Sequence, residues 1–346
     1  MPATAPSPTL PSAADLEAAA AAVYAAMPPT PQYRWPLLEG RTGVETWVKH
    51  ENHTPVGAFK VRGGLVHLAR LAREVPRVAG VVTATRGNHG QSIGFAARRH
   101  EIPALVVVPR GNAREKNAAM RALGVELVEA GDDFQDAVGV ADALAAERGW
   151  YRLPSFHPDL VAGVGTYALE LFRATAAAAA ELDTVYVPIG LGSGACGVLA
   201  AKAATGARAE VVGVVSAHAP AYARSLASGR AESHAATTAL ADGMACRTPV
   251  PDALALLRGD GGGPGLARVV EVTDAEVAAA MRALFADTHN AAEGAGAAAL
   301  AALLQERERA PALVEGRRVA VVLCGGNVDA EVFARVLGGE SEEAVS

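Results

Sequence analysis

From residue 78 onward the sequence alternates short β-branched apolar runs with segments of helix length, and that alternation leaves few architectures open. Val78–Thr83, Ala104–Pro109 and Val125–Glu129 read as strands. Ser92–His100, Glu115–Leu123 and Asp133–Arg148 read as the helices beside them, the last capped by Asp132 or Asp133. Strand–helix–strand alternation predicts a parallel sheet with helices on its faces. A new series starts after Trp150 with helix Gly163–Ala180, strand Thr184–Ile189, a helix running to Thr205 and strand Val211–Ser216. Helices Asp274–Ala286 and Gly294–Gln305 follow, then strand Arg318–Cys324. The runs at 184, 211 and 318 belong in one second sheet. The expected class is α/β, with two open, twisted, mostly parallel sheets flanked by helices.

The remaining segments are read by their punctuation. Residues 1–13, rich in Pro, Ala and Ser, predict disorder, and 338–346 a flexible tail. A helix capped by Ser12 or Asp15 runs to Met27 and is stopped by Pro28 and Pro29. Tyr33–Leu38 reads as extended and Thr46–Lys49 as a short strand, while the Gly- and Pro-rich stretch 228–265 reads as irregular. A chain of 346 residues suggests two domains. The expected division is a small domain, 77–153, inserted into a large one made of 14–76 and 154–337.

Composition narrows the function. Hydrophobic residues make up 51% of the chain but aromatics only 5%, so the apolar content is mostly Ala, Val and Leu, as helices packed on buried parallel strands require. The formal net charge is -6 and no Lys/Arg cluster stands out, which argues against nucleic acid and anionic membrane as partners. Cys196, Cys246 and Cys324 are far apart and lack metal-ligand spacing, so a reducing cytoplasm is expected rather than a disulfide framework. The N-terminal segment lacks a basic and an apolar signal region, and no apolar run reaches spanning length.

Four short motifs carry candidate chemistry. Gly57-Ala58-Phe59-Lys60-Val61-Arg62-Gly63-Gly64 sets a lysine after an aromatic and between glycines. Such a lysine, if desolvated, forms Schiff bases; alone, it reads better as a solvated helix lysine. Thr85-Arg86-Gly87-Asn88-His89-Gly90-Gln91 links a strand to a helix, where open α/β sheets bind ligands, and equally suits a simple turn with a cap. Gly190-Leu191-Gly192-Ser193-Gly194-Ala195-Cys196-Gly197 brings a glycine-rich backbone to a helix start, a phosphate site. Gly192, Gly194 and Gly197 also match a dinucleotide pattern, but the following strand ends at Ser216 without the acid that pattern expects, so a single phosphate is favoured. Cys324-Gly325-Gly326-Asn327 ends an apolar strand; alone it reads as a core cysteine.

Together and in this order, the motifs resemble the fold-type II pyridoxal-phosphate (PLP) enzymes, the tryptophan synthase β-like group. Within it they are most similar to the serine/threonine dehydratase (ammonia-lyase) branch, which includes serine racemase. The resemblance runs from about Thr30 to Leu337. It implies that Lys60, preceded by Phe59, carries PLP as a Schiff base. It implies that Asn88 meets the cofactor's 3-hydroxyl and that Gly190, Leu191, Gly192, Ser193 and Gly194 hold its phosphate. Cys324 would face the pyridine nitrogen, where serine is common. Gly243, in the Ala241-Asp242-Gly243 turn, and Glu293, in Glu293-Gly294-Ala295-Gly296, would lie beside the ring. Thr85, Arg86, Gly87, Asn88 and His89 would take the substrate carboxylate.

The implied reaction is β-elimination from a β-hydroxy amino acid (threonine, serine, phenylserine or hydroxyaspartate), with Lys60 removing the Cα proton and a 2-oxo acid and ammonia released. A homodimer is implied by the resemblance alone. Racemization or β-replacement on the same scaffold is the alternative, and a nicotinamide-dependent oxidoreductase the remote one. Three departures matter. Ala58 replaces a frequent serine. Racemizing relatives have a serine where Arg86 stands, and an arginine is a poor proton donor. Residues 216–222 carry no carboxylate, so no metal is expected there. The chain ends soon after Asn327, so feedback through a C-terminal regulatory domain is not expected.

Overall fold

The computed structural model describes residues 8–339, and the expectations for residues 1–7 and 340–346 lie outside that range. Along the chain, α1 (Ala13–Tyr24) starts in a reciprocal capping box between Ser12 and Asp15. Residues 9 to 12, expected to be disordered, lie against the Gly259–Pro264 turn, with Leu10 packed on the main core. Then come β1 (Gln32–Arg34), α2 (Pro36–Thr42), β2 (Glu45–His50), α3 (Lys60–Glu74), β3 (Val81–Ala84), α4 (Asn88–Arg99) and β4 (Ala104–Val108). They are followed by α5 (Arg114–Ala122), β5 (Glu126–Glu129), α6 (Phe134–Arg148), β6 (Tyr151–Arg152), α7 (Pro158–Ala177), β7 (Thr184–Pro188) and α8 (Ser193–Thr205). The last third holds β8 (Glu210–Ser216), α9 (Ala221–Ser228), α10 (Pro251–Arg258), β9 (Arg268–Val272), α11 (Asp274–Thr288), α12 (Gly294–Arg309), β10 (Arg318–Leu323) and α13 (Ala330–Gly338).

Two sheets result. One has the order β1-β2-β10-β7-β8-β9, parallel except for the β1–β2 edge pair. The other has the order β5-β4-β3-β6 and is parallel throughout. β3 and β4 are buried along their full length, as strands covered on both faces must be.

Several boundaries correct the sequence reading. The segment 33–38 is extended only to Trp35, with the strand ending at Arg34; Pro36 then opens α2 at the helix position where its missing N–H costs nothing. Within 228–265, Pro251 opens α10 in the same way and left-handed Gly259 closes it. The first alternating strand starts at Val81 rather than Val78, α1 ends before Met27, and Asp133, not Asp132, caps α6.

α3 is pressed onto α7 where both lack side chains: a Cβ on Gly163 would lie 2.4 Å from the carbonyl oxygen of Arg62. Beside that crossing sits a buried ion cluster. The Arg62 guanidinium reaches Glu51 at 2.7 Å and Glu170 at 2.6 Å, and Lys49 adds a second cation 2.6 Å from Glu170. A further polar link joins helix ends. The Arg114 and Glu115 amides at the start of α5 donate to Asp329 at 3.0 and 3.1 Å, and the Ala330 amide at the start of α13 donates to Glu115 at 2.9 Å. Among the described residues, no helix is long and apolar enough to cross a membrane.

Candidate active site

The carboxyl ends of β3, β7 and β10 open into one cleft. Open α/β sheets bind ligands at such ends. The cleft is lined by Phe59, Lys60, Thr85, Arg86, Gly87, Asn88, His89, Gly190, Leu191, Gly192, Ser193, Gly194, Gly243, Glu293 and Cys324, so the residues to which the resemblance gave a role border one space.

Lys60 is the first residue of α3, and its Nζ lies 3.3 Å from Ser193 Oγ and 5.2 Å from the centre of the Phe59 ring. Burial pushes its pKa down to about 8. The amine is therefore readier to act as a nucleophile than an ordinary lysine.

Ser193 opens α8 without a side-chain cap, and left-handed Gly192 precedes it. The Cys196 amide bonds to Gly192 O at 2.9 Å, so the amides between them have no partner in the helix. The approach to this helix start depends on missing side chains: a Cβ on Gly190 would sit 2.4 Å from the carbonyl oxygen of Gly243. Bare amides at a helix N-terminus and backbones this close form an anion cradle.

The loop after β3 forms a second one. Gly87, at φ 149°, leads into α4, which also lacks a side-chain cap. Thr85 Oγ1 accepts from the Gly87 amide at 2.9 Å and holds the turn. Burial, reinforced by the Lys60 charge, lowers the His89 pKa to about 3, so its ring is neutral, and its buried Nε2 has no partner.

Asn88 Nδ2 donates to Glu293 Oε1 at 2.5 Å, while Asn327 Nδ2 donates to Asn88 Oδ1 at 3.0 Å, which fixes the orientation of the amide. Cys324 Sγ lies 3.4 Å from Ala295 O, and burial raises its pKa so that the thiol stays neutral. Lys116 was not expected here. Its Nζ, on α5, lies 2.7 Å from Asp242 and 2.9 Å from Glu293, and those two carboxylates outweigh burial and keep it charged. Burial in turn raises the Glu293 pKa against the pull of Lys116. The segment Arg114–Ala122 is strongly charged and reads as a solvated helix, so the sequence held no signal for Lys116. Phe134 and Ser155 complete the wall. Away from the cleft, His67, His157 and Asp159 bring ligand atoms within 4.8 Å of one another, but Arg70 already holds Asp159 at 2.9 Å.

A buried lysine of lowered pKa, an uncapped helix start 3.3 Å from its amine and a neutral thiol on the cleft wall fit PLP: an aldehyde to attach, a phosphate to cradle, a heterocycle to flank. These features define a PLP-binding α/β protein. The chain belongs to the pyridoxal-phosphate dependent enzyme family, whose model matches residues 23–325.

The L-threonine ammonia-lyase of Thermotoga maritima is 33% identical over 87% of this chain and 72% of its own length. The biosynthetic L-threonine dehydratase of Salmonella typhimurium is 32% identical over 94% of this chain, which spans only 62% of that protein. An L-threo-3-hydroxyaspartate ammonia-lyase of Pseudomonas sp. is 31% identical over 90% of this chain and 93% of its own. Among solved structures, a threonine deaminase from T.th. superposes with a TM-score of 0.82 at 30% identity, covering 92% of this chain and 99% of that one. A PLP-dependent aspartate racemase superposes at 0.83 with 27% identity, covering 92% and 97%. Membership of this family removes the nicotinamide reading.

Proposed function

We propose that the chain is a PLP-dependent ammonia-lyase that eliminates water from a β-hydroxy amino acid; the released enamine tautomerises to an imine, takes up water again and yields a 2-oxo acid and ammonia. The observation that carries this reading is the Lys60 amine, at a pKa of about 8, beside the uncapped start of α8. The curated relatives named for threonine and for 3-hydroxyaspartate support it.

The Leu191–Gly194 backbone would hold the cofactor phosphate, Asn88 its ring hydroxyl, and Cys324 its pyridine nitrogen. When bound, the cofactor supplies a sink for the electron pair released as the Cα–H bond breaks. Lys60 Nζ is the base that takes that proton. The amides at the start of α4 and His89 hold the α-carboxylate and so orient the Cα–H bond. The β-hydroxyl leaves as water after taking a proton, and the Ser193 hydroxyl, 3.3 Å from Lys60, stands where one can be relayed. A neutral thiol, unlike a carboxylate, does not hold a proton on the pyridine nitrogen, which favours rapid loss of the β-substituent over reprotonation at Cα. Arg86, where racemizing relatives have a serine, adds to the case for elimination over racemization.

The small domain 77–153 closing on the large one, and a homodimer, belong to the same proposal. Light scattering on the purified protein tests the dimer. The reaction itself is tested by incubating the protein with PLP and following absorbance and ammonia release with L-threonine, L-serine, L-phenylserine and L-threo-3-hydroxyaspartate. A Schiff-base band that shifts with substrate, together with ammonia, is expected. A protein that stays colourless with PLP, or consumes an amino acid without releasing ammonia, overturns the reading.

A further inference from the structure

Arg86 stands apart from the other charged groups of the cleft. Asp242 and Glu293, the acids on its wall, are both within 2.9 Å of Lys116. Lys60 has its own partner in Ser193. Among the described residues, no carboxylate pairs with Arg86, and its Nε is buried without a hydrogen-bond partner. A guanidinium carries five donors and cannot shed its charge, so one half-buried and unpaired on a cleft wall is a standing site for an anion.

The α-carboxylate of an amino acid does not need it. The uncapped start of α4 offers bare amides for one carboxylate, and the neutral His89, the second residue of that helix and only 6% exposed, keeps a buried Nε2 without a partner on the same cleft wall. That pair of features binds one carboxylate without a cation. Arg86 is then left for a second negative group on the same substrate. On an α-amino acid, a second anion in the same cleft belongs to the side chain beyond Cβ.

We infer that Arg86 reads a side-chain carboxylate, so that the preferred substrate is an acidic β-hydroxy amino acid of the 3-hydroxyaspartate class rather than a neutral one. This inference rests on the ammonia-lyase reading above and sharpens it. Arg86 is a specificity-determining residue: it binds the distal carboxylate, as a bidentate partner where the geometry allows, and takes no part in proton transfer.

The test compares the wild-type holoenzyme with R86Q and R86K. The first measurement is kcat/KM for L-threo-3-hydroxyaspartate, L-threonine and L-serine, from 2-oxo acid release. The wild type should prefer the acidic substrate. R86Q should lose about 10- to 100-fold on it, mostly through KM, because a hydrogen bond to a charged group is removed. Its kcat/KM for threonine and serine should change less than about threefold. R86K, which keeps the charge but not the fork, should fall between. The second measurement is calorimetric binding of succinate, which has two carboxylates and no amine; R86Q should weaken it by a similar factor.

Equal losses on all three substrates would place the α-carboxylate on Arg86 and overturn the inference, as would unchanged values throughout or a wild type that prefers threonine or serine. Should no substrate yield a 2-oxo acid, the ammonia-lyase reading falls, and the succinate comparison still decides whether Arg86 binds a carboxylate.

Discussion

Lys116 Nζ lies 2.9 Å from Glu293 Oε2, an ion contact that ties a helix of the small sheet to the residue preceding α12. Both side chains are almost fully buried, at 6% and 2% exposure. Removing one partner of such a pair leaves an uncompensated charge, at a cost of about 3–5 kcal/mol, whereas removing both charges costs far less. K116M should therefore destabilise the protein by that order in urea titrations, and the double variant K116M/E293Q should recover most of the loss. A single variant within about 0.5 kcal/mol of the wild type would mean that the contact is not made in solution.

Borohydride reduction of the PLP-loaded protein should fix the cofactor to Lys60 and to no other lysine, as read by peptide mass spectrometry. K60A should keep the fold and lose both the label and turnover. Label on another residue would end the assignment.

The lowered pKa of Lys60 sets a pH dependence with a definite sign. In the apoprotein the folded state releases its proton near pH 8, while the unfolded chain holds it to about 10.5. Between those values the unfolded state binds more protons, so apoprotein stability rises with pH across that window. The rate of PLP attachment should likewise climb with pH and level off above about 8. Stopped-flow absorbance reads the rate, and K60M should make the slope in stability shallower by the share of one proton. A rate still rising steeply at pH 10 would mean an ordinary, solvated amine.

The Arg62 cluster supports the helix that carries Lys60. R62M would leave Glu51 and Glu170 with Lys49 as their remaining cation, and a loss of about 3–5 kcal/mol is expected in chemical denaturation. The double variant R62M/E51Q should lie closer to the wild type than R62M alone. Equal stability of R62M and wild type would contradict the burial of this network.

Gly190 has no room for a side chain. G190A would put a Cβ 2.4 Å from the Gly243 carbonyl oxygen and force the cradle apart. PLP affinity, titrated by absorbance, should fall at least about tenfold, the equivalent of roughly 1.4 kcal/mol of lost contact. Gly139, in α6, meets nothing within 4 Å, so G139A serves as the control and should gain up to about 1 kcal/mol of stability without touching PLP binding.

The alternation after residue 78 was legible because buried parallel strands and their helices differ so clearly in composition; the cleft residues were legible through the order of four motifs and the family resemblance it carries, and only the glycine loop at 190–197 reports close backbone approach by itself. What escaped had physical causes. α2 and α10 begin with proline, which reads as a breaker until its place at a helix start is known. β9, with the exposed Glu271 in its short run Arg268–Val272, lies at a sheet edge and lacks the apolar density of its neighbours. Lys116 was invisible because its partners lie 126 positions away at Asp242 and farther still at Glu293, and no local pattern encodes that meeting.

Glu115 and Asp329 exchange carboxylates between two helix starts, those of α5 and α13. Each helix start completes the other, so parting α5 from α13 frees three amides at once, at positions water already reaches. Water takes up those bonds with little net change, about 0.5–1.5 kcal/mol for each. The junction of the two helix starts is thus a trade of one hydration state for another, whose balance ionic strength and osmolyte shift.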